Sequence, residues 1–300
     1  MHRRPMARLL LAFGGLLLLG GCVLAPSGPN RTPATVAALR QQAEQAQASN
    51  NLARSAQLFE QAAAAASSPQ REELQLQAAR IYVKLGEFQR AHTILEQTPG
   101  NALPPPSAAL RRIVQARLAL AAGHSAAALA VLSPRPASLP DKLQAAWLHV
   151  ESDARLAAGQ PLAAARLRDE RSALLQQPQD RQANQQALWS ALLAIPMQQL
   201  VELIPPTPDR FGGWLELAYF YRTRQVDPQA LTAALRAWQQ RYPKHPANGA
   251  FLQALLATAK QSLQRPKSIA LLLPLSGSLA TVGRAVEHGF LAAYYQDPPQ

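Results

Sequence analysis

Apolar positions fall into three regimes along the chain. Residues Leu9 to Leu19 are almost wholly apolar. From about Ala34 to Gln264, apolar residues recur at three- and four-residue spacings broken by prolines and glycines, which predicts helix after helix. Beyond Arg265-Pro266-Lys267 the period changes. Ser268 to Pro274 (SIALLLP) is a short continuous apolar run bounded by proline, the pattern of a buried parallel strand. Leu275 to Ser278 reads as a turn. Val282 to Tyr295 reads as a helix with Val282, Val286, Phe290 and Ala293 near one face. Strand, small-residue loop and helix together make the opening of an α/β domain.

Within the helical stretch a turn recurs. Tyr82 to Ala91 (YVKLGEFQRA) ends one helix at Gly86 and opens the next with Ala91 five residues on. The same offset joins Gly123 to Ala128 and Gly159 to Ala164, and Asn51 to Ala56 with asparagine as the helix stop. The turn residues Asn51, Gly86, Gly123 and Gly159 lie 35, 37 and 36 residues apart, near the ~34-residue tetratricopeptide period. A weaker copy pairs Gln225 with Ala230, and the unit between, roughly 182–208, is degraded. Phe59, Leu95, Leu132 and Leu167 follow each small residue on the same face. Asp227-Pro228 has the form of a cap followed by a first-turn proline. The YVKLGEFQRA segment resembles the tetratricopeptide consensus. The expected fold class is mainly α: a tetratricopeptide-like helical solenoid over 34–264, then the first βα unit of an α/β domain over 268–300. A helical bundle with accidental near-periods is the alternative, disfavoured by four turns at nearly equal spacing.

The first apolar stretch has a different meaning. Arg3, Arg4 and Arg8 precede it, and Leu19-Gly20-Gly21-Cys22 ends it. Charged n-region, apolar h-region and small residues describe an export signal, and the run is short of the ~20 residues that span a bilayer. The L-G-G-C sequence resembles a bacterial lipobox. That resemblance implies cleavage after Gly21 and a lipidated Cys22, with 1–21 a signal peptide. Residues 22–33, rich in Pro, Ser, Gly and Asn, read as a tether. Two or three acyl chains would anchor the chain stably. Val23 stands where aspartate usually retains Gram-negative lipoproteins at the inner membrane, so the resemblance points to the periplasmic face of the outer membrane. The chain has one cysteine, so a lipidated Cys22 leaves no thiol for a disulfide.

Lys and Arg number 30 against 18 Asp and Glu, a net charge of +12, of which the signal's three arginines account for +3. The basic residues are scattered at helical spacing without interleaved aromatics. They read as solvated helix faces, with acidic wall polymer or anionic lipid as secondary partners and no nucleic acid. The mature chain carries no H-E-x-x-H, G-x-S-x-G, S-x-x-K or phosphate-loop signature. Histidines 92, 124, 149, 245 and 288 are isolated and read as helix-surface or capping residues. Glu72-Glu73 and Asp169-Glu170 read as solvated faces, and Trp147, Trp189, Trp214 and Trp238 as core anchors. No catalytic residue, metal ligand or cofactor site is expected.

IALLLPLSGSLATVGRAVEHGFLAAYY is similar to the first strand, loop and helix of the type I periplasmic binding-protein fold. By that resemblance Ser276, Gly277 and Ser278 belong to a vestigial ligand loop, with the helix start suited to an anion. Lipobox, tetratricopeptide-like region and this segment, in that order, resemble the penicillin-binding protein activator (LpoA) family. The resemblance implies an outer-membrane lipoprotein that catalyses nothing. It would bind a class A penicillin-binding protein of the 1A type and stimulate peptidoglycan cross-linking and synthesis, with peptidoglycan itself as a further partner. The competing readings are a solute-binding lipoprotein for an amino acid or peptide, and a helical scaffold for envelope assembly. Some ~230 helical residues count against the former, which has no need of a solenoid.

Overall fold

The computed structural model describes residues 33–100, 103–262 and 270–296. The signal stretch and Cys22 lie outside the described residues, as does the tether up to residue 32. The chain divides into two compact units, one ending at Ala158 and one starting at Gly159.

The first unit holds α1 (Pro33–Ala48), α2 (Leu52–Ala65), α3 (Gln70–Leu85), α4 (Phe88–Gln97), α5 (Pro105–Ala121), α6 (Ser125–Leu132) and α7 (Asp141–Ala157). α1 packs on α2, α3 on α4 and α5 on α6, while α3 also packs on α5 and α5 on α7. Prolines set the starts of the odd helices. Pro69, Pro104 and Pro140 stand at N-cap positions, and Pro105 opens α5, where a missing N–H is harmless.

The turns repeat in atomic detail. Gly86 and Gly123 have φ of 77° and 79°. Gly86 N–H bonds Val83 O, and Glu87 N–H bonds Tyr82 O at 2.9 Å. Gly123 N–H bonds Leu120 O, and His124 N–H bonds Ala119 O at 2.8 Å. This pair of bonds closes a helix on a left-handed residue. The first turn makes the same bonds from Asn50 and Asn51, to Gln47 O and Ala46 O. The left-handed residue there is Asn50, with φ of 59°, rather than the Asn51 expected from the sequence. Asn51 instead caps α2, its side chain accepting from Arg54 N–H at 3.2 Å. An amide side chain serves either place, which is why the sequence pattern misplaced it by one.

The corrected register is more regular. Left-handed residues Asn50, Gly86, Gly123 and Gly159 are 36, 37 and 36 residues apart. Five residues on stand Ser55, Ala91, Ala128 and Ala164, all fully buried. Seven residues back stand Ala43, Ala79, Ala116 and Ser152, also buried. In the first pair the two small positions touch, Ser55 Oγ donating to Ala43 O at 2.8 Å. That bond satisfies the hydroxyl that replaces alanine there. Phe59, Leu95 and Leu132 are buried nine residues after each turn, as the same-face reading anticipates.

The second unit holds α8 (Pro161–Ser172), α9 (Pro178–Leu193), α10 (Met197–Glu202), α11 (Arg210–Arg224), α12 (Pro228–Arg241), α13 (Ala250–Ser262) and α14 (Ala280–Gln296). The degraded repeat is the pair α9 and α10, whose second helix is six residues long. At the weaker copy, Gln225 is right-handed, with φ of −62°, and Leu231 rather than Ala230 is fully buried. Asp227 caps α12 through its Oδ1, with Pro228 in the first turn.

The strand expected over 268–274 does not form in the part that is described. Its described part, 270–274, is irregular, and the described residues contain no strand. A parallel strand exists only through ladder bonds to a neighbour, and no neighbour is present among the described residues. The helix expected to follow it is α14. Its approach to the preceding loop is close: a Cβ on Gly283 would collide with the Pro274 carbonyl. No helix of the described residues is long and apolar enough to cross a membrane.

Candidate functional site

The expected loop residues Ser276, Gly277 and Ser278 lie in an exposed turn leading into α14. Gly277 is left-handed, with φ of 77°, and its carbonyl accepts from Ala280 N–H at 3.2 Å. The described residues contain no group of three His, Cys, Asp or Glu able to hold a metal ion.

A buried polar arrangement lies in the second unit, and sequence reasoning missed it. His245, expected at a surface or cap, is buried. Its ring meets Trp214 edge-on at 4.9 Å and Trp238 at 4.8 Å between centroids. Its Nε2 lies 2.8 Å from Arg210 O, and its Nδ1 accepts from Ala247 N–H at 3.1 Å. Burial holds its pKa below the ordinary histidine value. Asp169, expected on a solvated face, is also buried, and Arg210 grips its Oδ2 through Nε at 3.1 Å and Nη2 at 2.8 Å. Thus α8, α11 and the segment after α12 are tied through one arginine. Trp238 Nε1 donates to Gly213 O at 2.9 Å, and Tyr242 Oη donates to Glu216 at 2.8 Å. Burial, then the bond to Glu216, pushes the Tyr242 pKa up to about 12. A counterpart occurs in the first unit, where Tyr82 donates to Glu60 at 2.8 Å and Arg90 sits 4.3 Å over its ring. These arrangements join helix to helix.

The arginines take a role that spacing did not reveal. Arg111, on α5, donates to the last carbonyls of α4, Thr98 O at 2.7 Å and Leu95 O at 3.3 Å. Arg112 donates to Val131 O at 2.7 Å and Pro134 O at 2.8 Å, at the end of α6. Arg222, on α11, donates to Ile195 O beyond α9, and Arg181 to Leu175 O and Gln176 O beyond α8. A helix end leaves carbonyls without partners, and a cation there is also favoured by the dipole. The expectation of solvated basic faces is corrected for these residues: their charge is directed at neighbouring helix ends.

Left-handed turns at nearly equal spacing, flanked by buried small residues at fixed offsets, define a tetratricopeptide-like array of helix pairs. The family described as LppC putative lipoprotein matches residues 47–300, and the chain belongs to it. Penicillin-binding protein activator LpoA of Edwardsiella ictaluri is 33% identical over 220 residues, which are 73% of this chain and 32% of that protein. The Klebsiella pneumoniae protein of that name is 31% identical over 227 residues, 73% of this chain and 31% of its own length. The chain therefore spans about a third of the length of these curated relatives. The crystal structure of the Escherichia coli LpoA amino-terminal domain matches with a TM-score of 0.57 at 24% identity, over 72% of this chain and 92% of that domain. That likeness concerns the fold.

Proposed function

We propose that the chain is the lipid-anchored, helical arm of a penicillin-binding protein activator. The observation that carries this reading is the family match over residues 47–300, together with relatives named for that activity. The regular helix pairs support it, because such arrays present long binding surfaces and require no catalytic group.

In this reading residues 1–21 are a signal peptide, Cys22 carries the lipid, and residues 22–33 tether the helical region, 34–264, to the outer membrane. The partner is a class A synthase of the 1A type, and the effect is more peptide cross-linking. Residues 268–300 lead towards a second domain, which agrees with the greater length of the relatives. Ser276, Gly277 and Ser278 are then a turn inherited from a ligand loop.

The test is cross-linked peptidoglycan made by a purified class A synthase, with and without residues 23–300, and beside a version extended through the second domain. Stimulation by either version supports the reading, and stimulation by both places activity in residues 23–300. Neither binding nor stimulation by either version overturns it and favours a scaffold or solute-binding role. Labelled palmitate should enter the wild-type chain in cells and not the Cys22→Ala variant.

A further inference from the structure

The run of alanines from Ala62 to Ala66 brings only methyl groups to the end of α2, and a hollow is left beside it in the first unit. Ala63, Ala64 and Ile94 form its apolar lining, and Glu60, Arg71, Gln75 and Gln97 supply the polar groups, so the ends of α2 and α4 meet the start of α3. Its volume is about 210 Å³. That is below the roughly 300 Å³ at which pockets for whole cofactors begin, so it suits a chain end. Ala64, Arg71 and Gln97 are exposed, so the hollow is reached from solvent. Its polar groups are held in place but not used up. Arg71 Nε donates to Ala66 O at 3.1 Å, while its Nη1 and Nη2 have no acceptor among the described residues. Thr98 Oγ1 lies 3.3 Å from Gln75 Oε1, which leaves the Gln75 Nε2 donor. Glu60 Oε2 accepts from Tyr82 at 2.8 Å with Arg90 at 3.6 Å, which leaves Oε1 as an acceptor. The Glu60 charge is therefore offset and the Arg71 charge is not. Glu72 and Glu73, next to Arg71 in sequence, do not line the hollow.

We propose that this hollow binds the free C-terminal end of a short peptide with small side chains. The two open nitrogens of Arg71 take the terminal carboxylate in paired, charge-assisted hydrogen bonds. Glu60 Oε1 accepts the last peptide N–H, and the Gln75 and Gln97 amides pair with the carbonyl and N–H of the peptide unit before it. Methyl-sized side chains lie on Ala63, Ala64 and Ile94. One uncompensated cation, an acceptor of opposite charge and two amides over an apolar surface match a peptide terminus group for group. A bare anion such as phosphate would face the Glu60 carboxylate and leave the apolar surface unused. The inference needs no synthase, and its test contains none.

The full chain, labelled with nitrogen-15 arginine, is titrated at constant ionic strength with four probes. These are N-acetyl-trialanine, its C-terminal amide, free alanine and inorganic phosphate. The Nε–H signal of Arg71, assigned by its disappearance in Arg71→Gln, should shift saturably with the trialanine acid. The amide should bind about tenfold more weakly, the worth of one charged hydrogen-bond pair. Calorimetry on Arg71→Gln should show the same loss for the acid and little change for the amide. Ala64→Leu fills the hollow from an exposed helix position, keeps every charge and should abolish binding. Absence of saturation by the acid, equal affinity for acid and amide, or undiminished binding in Ala64→Leu overturns the site. Free alanine binding as tightly as the tripeptide overturns the peptide assignment, and saturation by phosphate alone overturns the carboxylate. The wild-type and Ala64→Leu titrations decide even if Arg71→Gln fails to fold.

Discussion

His245 Nε2 donates to the backbone carbonyl of Arg210 across 2.8 Å, while its Nδ1 accepts the Ala247 N–H at 3.1 Å. A carbonyl can only accept and an amide N–H can only donate, so the two contacts fix the neutral Nε2–H tautomer. Protonation would place a new N–H against the Ala247 N–H, inside a cage of Trp214, Trp238 and Tyr242. Burial, the largest cause, disfavours the imidazolium; it is opposed by the bond to the Arg210 carbonyl and the Asp169 charge, and assisted by the Arg210 charge, and it prevails.

The pH dependence follows in sign. The folded pKa lies below the unfolded value of 6.5, so near neutral pH both states hold a neutral ring and the contribution is complete. As pH falls through 6.5 the unfolded chain takes up a proton first, and stability declines until the folded pKa is reached. Urea unfolding between about pH 7 and pH 5 should show that slope in wild type. His245→Gln should flatten it and lower neutral-pH stability by about 2 kcal/mol.

Two glycines should fail for different reasons. Gly213 faces this cage: an added Cβ would meet His245 Cδ2 at 2.8 Å and Tyr242 Cδ1 at 3.0 Å. Both rings are held by hydrogen bonds and cannot yield cheaply, so Gly213→Ala should cost about 2–3 kcal/mol and alter the near-ultraviolet tryptophan signal. Gly86 has φ of 77° and open space around its missing Cβ. Gly86→Ala should cost about 1 kcal/mol through backbone conformation alone, with the aromatic signal unchanged.

Much of the array was legible because it rests on local rules. Glycine at a left-handed turn, proline at a helix start and a small residue at a close contact each leave a mark on the sequence. Three of the four turn residues stand where the spacing put them. The companion small residues Ala43, Ala79, Ala116 and Ser152 carry the same period and could have been found by it. The His245 and Asp169 contacts were not legible, because each depends on Arg210, 35 and 41 residues away. A lone histidine or a helical Asp-Glu pair looks the same on a surface as in a core until a distant element packs over it. The strand failed for the opposite reason: its apolar run is a local signal, but a strand is a property of its neighbours.

The first turn offers a test of register. Asn50 is left-handed and Asn51 is the cap, so the two asparagines should respond in opposite directions. Asn50→Gly relieves a non-glycine residue at positive φ and should stabilise by about 0.5 kcal/mol. Asn51→Ala loses the bond to Arg54 N–H and should destabilise by about 1 kcal/mol. If Asn51 were the left-handed residue, the substitution to glycine at 51 would be the stabilising one. Thermal melts of the three variants decide between the registers.

Arg112 tests whether the positive charge is structural. Its Nε and Nη2 hold two carbonyls at the end of α6, and its Cζ lies 4.7 Å over the Trp147 ring. Burial also lowers its pKa, so the charge is partly taken out of water. A solvated arginine could be replaced by methionine within about 0.5 kcal/mol. Here Arg112→Met retains the aliphatic contact but leaves both carbonyls without that donor, and should cost about 2 kcal/mol. Arg112→Lys should recover part of that, since an ammonium cannot reach both carbonyls while lying flat on the ring. Trp147 is fully buried, so its fluorescence should stay blue in both folded variants. Loss of stability without a red shift would separate the removed cap from a loosened core.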